Sequence, residues 1–427
     1  MEALANRDRS ELLALQEQLL ERYQDFQARN LSLDMTRGKP SPEQLDLSMD
    51  MMRENISMHH ASGTGTDYRN YGGLDGIIEA RKLFAEYLEV APDEIIIGDS
   101  SSLKMMHDTI MGAFVYGMVD SKIPWGRVDR VKFLCPSPGY DRHFSVCQYL
   151  GIEMIPVSMD NNGPDMDAVE KLVAGDETIK GIWCVPKYSN PTGITYSDEV
   201  VDRLAGMTAA AADFHIFCDN AYAVHHLSGT PDRLKNILTA CKEAGNPERV
   251  FLYGSTSKIT FAGSGVAMMA ASSRNKEYIL GRMKNQTIGP DKMNQLRHVL
   301  FLKNTEGIAS LMKRHAAILW PKFDAVLDIL EKRLAGKDVA TWSKPQGGYF
   351  ISIDTMEGCA RAVVEKAAAA GVKLTPAGAT FPYGRDPLDR NIRIAPSYPS
   401  AGDVRTAMEL VAICIEMISL EKILVDS

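Results

Sequence analysis

The 427-residue sequence is short of several things, and each shortage removes a class of protein. No apolar run is long enough to cross a bilayer. No block of Lys or Arg stands out and the formal charge is −8, which argues against a nucleic-acid backbone or an anionic membrane surface as the main partner. Cysteine is too scattered for a disulfide framework. Cys135, Cys147, Cys184, Cys218, Cys241, Cys359 and Cys414 are odd in number and several sit inside apolar runs, which reads as reduced, buried thiols of a cytosolic protein. The histidines offer no metal site, because His59-His60 and His225-His226 are adjacent pairs whose side chains diverge. Internal repeats and low-complexity segments are absent. The first thirty residues lack the uninterrupted apolar centre of a signal peptide.

Those first residues instead place Leu12, Leu15, Leu19, Tyr23 and Phe26 three or four apart, the spacing of an amphipathic helix. The arm "DMTRGKPSPEQLDLS" follows, punctuated by Gly and Pro and read as extended. From about residue 77, helix-length segments alternate with seven short apolar runs: "EIIIG", "VKFLC", "EMIPVS", "GIWCV", "FHIFC", "VFLYG" and "GVAMMAAS". Consecutive apolar positions in short runs fit strands of a mostly parallel sheet covered on both faces, so the class is α/β. A long helical pattern from about 305 to 338, with a bend expected at Pro321, leads to a mixture of short strands and helices. The expected division is an N-terminal helix and arm (1–55) belonging with a smaller α+β domain (316–427), and a large domain (56–315).

Polar residues follow the strands' carboxyl ends repeatedly, and in open α/β sheets that is where ligands bind. "DSSSLKMMHD" puts three hydroxyls at a strand-to-helix turn, suited to a phosphate or to simple helix capping. "YGSTSKITFAGSG" sets Lys258 among small residues, with Ser255 and Ser257 as further hydroxyls. Asp219, at the end of an apolar strand, either caps backbone N–H groups or pairs with a protonated ring nitrogen. Tyr140, on a Pro/Gly-braced turn, either packs or lays its face on an aromatic ligand. Asn190 and Tyr222 add a neutral donor and a phenol. An amine, a phosphate cradle, a carboxylate for a ring nitrogen and a stacking ring together describe pyridoxal phosphate.

The motifs "NYGGLDG", "SSL", "PGY", "NPTG", "DNAY", "STSK", "GGYF" and "NIRIAPS" fall in the order found in fold type I, class I pyridoxal-phosphate aminotransferases, and the chain resembles that family. The arm "TRGKPSPEQLDLS" and the segment "QTIGPDKMNQLRH" resemble a bacterial aspartate aminotransferase subgroup. The resemblance implies that Lys258 holds the cofactor's aldehyde as a Schiff base and shuttles a proton, that Asp219 pairs with the pyridine nitrogen, and that Tyr222 and Asn190 donate to the phenolic oxygen. It also implies Tyr140 as the stacking ring, Ser101, Ser102, Ser255 and Ser257 as phosphate ligands, and Tyr71 as a phosphate ligand reaching across a homodimer interface. Arg393 would take the substrate α-carboxylate, and the backbone of Gly38 would close over the substrate. Many relatives carry an arginine for the phosphate where this chain has Val266, and Lys104 is the expected replacement. For the distal carboxylate of aspartate, Arg37, Lys292, Arg297 and Arg385 all stay open. The implied activity is cytoplasmic transfer of an amino group from L-aspartate to 2-oxoglutarate. Another amino donor, or β-elimination on the same scaffold, is the alternative.

Overall fold

The computed structural model describes residues 3–54, 61 and 65–426; His59 and His60, and the expected division at 55/56, lie outside the described residues. Helix α1 (Arg9–Ala28) starts where the Asp8 side chain accepts the Glu11 N–H at 2.9 Å, and it buries Leu12, Leu19, Tyr23 and Phe26. This is the periodic face expected from the sequence.

The seven apolar runs are the strands β1 (Ile95–Ile97), β2 (Lys132–Ser137), β3 (Glu153–Asp160), β4 (Ile179–Cys184), β5 (His215–Asp219), β6 (Val250–Ser255) and β7 (Ala267–Ala270). They lie in the order β1-β7-β6-β5-β4-β2-β3, and the two-residue strand Gly163–Pro164 at the β3 edge makes the sheet eight-stranded rather than seven. The extra strand is too short to leave a period in the sequence. Neighbours from β6 through β3 pair in parallel, whereas β7 runs antiparallel to both β1 and β6.

Because strand side chains alternate between faces, the central strands feed two cores. Leu134, Ile216, Cys218, Leu252 and Met268 enter one. Phe133, Cys135, Phe217, Phe251, Tyr253 and Met269 enter the other. Strands buried on both faces have no polar positions to spare, which is why they read as uninterrupted apolar runs.

A third core gathers α1, the second half of a long helix, and the C-terminal strands and helices. That long helix (Thr305–Leu334) carries Pro321 without a break. Its Ile308, Leu311 and Met312 pack under the large sheet, and Leu319 onward packs in the third core. Here Ala340–Trp342, Ile351–Thr355 and Asn391–Ile394 form an antiparallel sheet. The arm joins this region directly, Leu33–Asp34 pairing in parallel with Val372–Lys373. All seven cysteines are buried and free. Among the described residues, no helix is long and apolar enough to cross a membrane.

Candidate active site

The carboxyl ends of β5 and β6 and the turns after β1, β2 and β4 surround a cavity of about 260 Å³. Lys258 enters it from the turn after β6, with Nζ 5.0 Å from the centre of the Tyr222 ring. Enclosure pushes the amine's pKa down, and the charge of Asp219 partly opposes that shift. The turn is held by its own hydroxyls: Ser257 N–H donates to Ser255 Oγ at 3.1 Å, the two Oγ atoms lie 2.8 Å apart, and Ser257 Oγ reaches the Ser100 carbonyl at 3.2 Å. Thr256 Oγ1 takes the Val266 N–H at 2.8 Å, and Gly265 leaves no space for a side chain, since a Cβ would sit 2.9 Å from Ser257 Oγ. Val266 itself is 1% exposed and belongs to the core beneath the sheet.

Two buried imidazoles fix the backbone on the far side of Lys258. His225 Nε2 donates to the Lys258 carbonyl at 3.3 Å, and His315 Nε2 donates to the Ile259 carbonyl at 3.0 Å. The His315 Nδ1 then accepts from the Gln44 amide at 3.0 Å, and that amide also donates to Tyr349 Oη at 2.9 Å. Burial lowers both histidines, His315 to about 4, so both stand neutral. His226 turns elsewhere, its Nδ1 taking a hydrogen bond from Tyr188 Oη at 2.8 Å.

Opposite Lys258, helix α2 (Ser102–Tyr116) presents its N-terminus, with Ser101 as the cap accepting the Lys104 N–H at 3.2 Å. Ser101, Ser102, Ser255 and Ser257 line the cavity together. Lys104 does not: its Nζ pairs with Asp108 Oδ2 at 2.6 Å on an exposed face. Its backbone N–H serves the cap while the side chain follows the helix surface to i+4, away from the cavity.

Asp219 ends β5 with its side chain 6% exposed. Its Oδ2 accepts from His143 Nε2 at 3.1 Å, while Oδ1 has no hydrogen-bond partner. His143 is stacked on Trp183, ring centres 4.2 Å apart. His143 lies three residues after Tyr140 on α3 (Asp141–Tyr149), close to one helical turn on, a spacing that could have pointed to it but was not read. Burial, then the charge of Asp219, raises the Tyr140 phenol to about 12; burial also raises that of Tyr222.

At the rim, Arg393 donates from Nη1 to Asp141 Oδ1 at 2.9 Å and to Asn190 Oδ1 at 3.3 Å, and from Nη2 to Thr375 Oγ1 at 3.3 Å. Its guanidinium lies 5.0 Å from the Phe350 ring centre. The arm crosses here because Ser397 Oγ donates to the Lys39 carbonyl at 3.0 Å and Ala395 N–H to the Met35 carbonyl at 3.2 Å. Gly38 lies so close to Phe350 that a Cβ would fall 2.1 Å from Cζ, so only glycine passes.

Several expected residues are not brought to the cavity. Tyr71 is 81% exposed, and Arg37 pairs with Asp34 at 3.4 Å. Lys292 Nζ donates to the Gly72 carbonyl at 2.8 Å. Neither Arg297 nor the exposed Arg385 lines it. Asp141, His143, Thr375, His225 and His315 are the polar neighbours that sequence reasoning missed. Among the described residues, no group of three or more His, Cys, Asp or Glu is placed to hold a metal ion.

This arrangement can be set beside known proteins. The family model described as aspartate amino-transferase matches residues 8–426. An aspartate aminotransferase of Corynebacterium glutamicum is 44% identical over 405 residues, covering 95% of this chain and 94% of that protein. The crystal structure of an aspartate transaminase from Corynebacterium glutamicum superposes with a TM-score of 0.96 at 43% identity, covering 99% of both chains. An α-aminoadipate aminotransferase of Thermus thermophilus, 20% identical with a TM-score of 0.71 over 94% of this chain and 96% of that one, shares the fold. With a model match along nearly the whole chain and relatives 43–44% identical over almost all of it, the chain belongs to the aspartate aminotransferase family of fold type I transaminases.

Proposed function

We propose that this transaminase uses pyridoxal 5′-phosphate to move the amino group of L-aspartate to 2-oxoglutarate, giving oxaloacetate and L-glutamate by a ping-pong sequence. The observation that carries the cofactor reading is the Asp219 carboxylate: buried, oriented by His143 through Oδ2, and left with an unpartnered Oδ1 in the cavity that also holds Lys258. A buried carboxylate oxygen without a partner is costly, and a protonated ring nitrogen satisfies it. The four serine hydroxyls and the N-terminus of α2 form a matching phosphate cradle.

Pyridoxal phosphate, when bound, supplies an electron-accepting ring that stabilises negative charge at the substrate's α-carbon. Lys258 Nζ would hold the cofactor's aldehyde carbon and, when free, would serve as the base that takes the proton from the substrate's α-carbon and as the acid that gives it back. Its lowered pKa favours the free base this needs. Asp219 would keep the proton on the ring nitrogen, Tyr140 would lie against the ring, and Tyr222 and Asn190 would donate to the phenolic oxygen. Arg393 receives the substrate's α-carboxylate, a planar fork that lysine does not reproduce. The Gly38 backbone closes over the bound substrate. Aspartate as donor is supported by the identity to the Corynebacterium glutamicum enzyme.

In this reading the protein is a cytoplasmic homodimer in which Tyr71 reaches the phosphate of the other subunit's cofactor, which accounts for its exposure in one chain. The arm and C-terminal core (1–55 with 316–427) and the large domain (56–315) act as two domains. The test is an absorption spectrum of the purified protein before and after adding aspartate. The visible band of lysine-bound cofactor should be lost with aspartate and return with 2-oxoglutarate, and Lys258→Ala should lack it and lose roughly 10⁴-fold in rate. A band indifferent to aspartate would redirect the search to other donors. No band after reconstitution would remove the cofactor from the reading.

A further inference from the structure

Arg393 meets the site with its guanidinium already engaged by a carboxylate of its own chain. Asp141 Oδ1 takes Nη1 at 2.9 Å, Asn190 shares that nitrogen, and Nε has no partner. The two members of the ion pair are unequally placed. The Arg393 side chain is 7% exposed, whereas that of Asp141 is 34% exposed and has a route to solvent. Asp141 is also the first residue of α3, where free N–H groups and the helix dipole favour a carboxylate independently of Arg393. It directly follows Tyr140, which lines the cavity, so the pair sits at the border of the space a substrate must occupy.

A buried guanidinium without an anion is strongly disfavoured, and one guanidinium between two carboxylates holds the second less tightly because like charges repel. We propose that Asp141 is an internal stand-in for the substrate's α-carboxylate: it satisfies Arg393 in the substrate-free protein and competes with incoming amino and oxo acids for it. The inference rests on the reading of Arg393 as the α-carboxylate anchor. Every substrate must meet the same competition at Arg393, so removing Asp141's charge should tighten carboxylic acids as a class.

The experiment is calorimetric titration of the cofactor-loaded protein with succinate, an unreactive four-carbon dicarboxylate, across wild type, Asp141→Asn, Asp141→Glu and Arg393→Lys. Removing the charge in Asp141→Asn should tighten succinate about tenfold, since a like charge a few ångströms away is lost in a partly buried site. The KM for aspartate should fall in step while kcat is held. Asp141→Glu, which keeps the charge, should bind succinate as the wild type does. Arg393→Lys should weaken succinate about a hundredfold, the loss expected of a bidentate partner. If Arg393→Lys has that effect but Asp141→Asn weakens succinate or leaves it unchanged, the stand-in role is overturned and the anchor survives. Succinate affinity unchanged in Arg393→Lys would overturn the anchor and the stand-in together.

Discussion

On one side of the cavity, Ser101, Asp219, Ser255 and Lys258 hang from the ends of strands in one sheet or from the turns that follow. The serines are held by bonds to residues nearby in sequence or on the adjoining turn, such as Ser257 N–H to Ser255 Oγ, and Asp219 and Lys258 by His143 and His225 of the same large domain. On the other side, Arg393 reaches Asp141 and Asn190 across 252 and 203 residues of sequence, and Gly38 arrives on an arm fixed to residues 395 and 397. The first side is assembled when the sheet forms. The second exists only when the N-terminal arm, the C-terminal sheet and the large sheet have all come together. In the proposed reading, the cofactor chemistry sits on the sheet, while carboxylate recognition sits at the seam, where one side chain such as Asp141 would adjust it.

The sharpest way to break this division is at Asp219. Asp219→Asn should lower kcat about 10³-fold, comparable to removing a preorganised charge from a catalytic site. Succinate binding should stay near that of the wild type, because the carboxylate side is untouched. A parallel loss of succinate affinity would show that the two sides are not separable. A smaller effect is expected from Ser255→Ala combined with Ser257→Ala, which should weaken cofactor binding roughly tenfold to a hundredfold through lost hydrogen bonds to the phosphate. Equilibrium dialysis of pyridoxal phosphate measures it, and an unchanged affinity would remove these serines from the cradle.

The same contrast explains what was legible in the sequence. Strands buried on both faces leave short apolar runs, and a polar tight turn after each one is a local pattern, so Lys258, Asp219, Asn190, Tyr222, Tyr140 and the serines could be picked out and do converge on one cavity. Lys104 belongs to the same local pattern but is not brought to the cavity. Sequence places it one turn into α2, but whether its ammonium faces the cavity depends on the helix's rotation, and Asp108 at i+4 draws it to the outer face. The Asp141 and Thr375 partners of Arg393 left no signal, because contacts across the seam have no fixed spacing. His225 and His315 were unreadable for another reason: their role is to hold backbone carbonyls, and a carbonyl is present at every position.

Gly38 tests the seam by sterics alone. Gly38→Ala places a methyl 2.1 Å from Phe350 Cζ, and the overlap should cost up to about 3 kcal/mol in stability, read as a lower urea midpoint. Succinate should bind more weakly, because Phe350 also covers Arg393, while the visible band of the bound cofactor stays. A variant as stable as the wild type would mean that the arm does not need this close approach.

His315 joins the two sides, with Gln44 of the arm on one nitrogen and the Ile259 carbonyl, next to Lys258, on the other. Its pKa is about 4 in the folded protein, from burial, against about 6.5 for an unperturbed histidine. Below pH 6.5 the unfolded chain takes up a proton at this residue that the folded chain refuses, so stability must fall as the pH drops toward 4 and level off below it. Between pH 7 and pH 5 the loss from this residue should be about 2 kcal/mol. His315→Gln, which keeps an amide donor for the Ile259 carbonyl but cannot titrate, should therefore show a shallower decline in urea midpoint across that range than the wild type. An equal decline would mean that other buried groups, such as His298 with its pKa also near 4, carry the acid sensitivity and that the link between the two sides tolerates a charge.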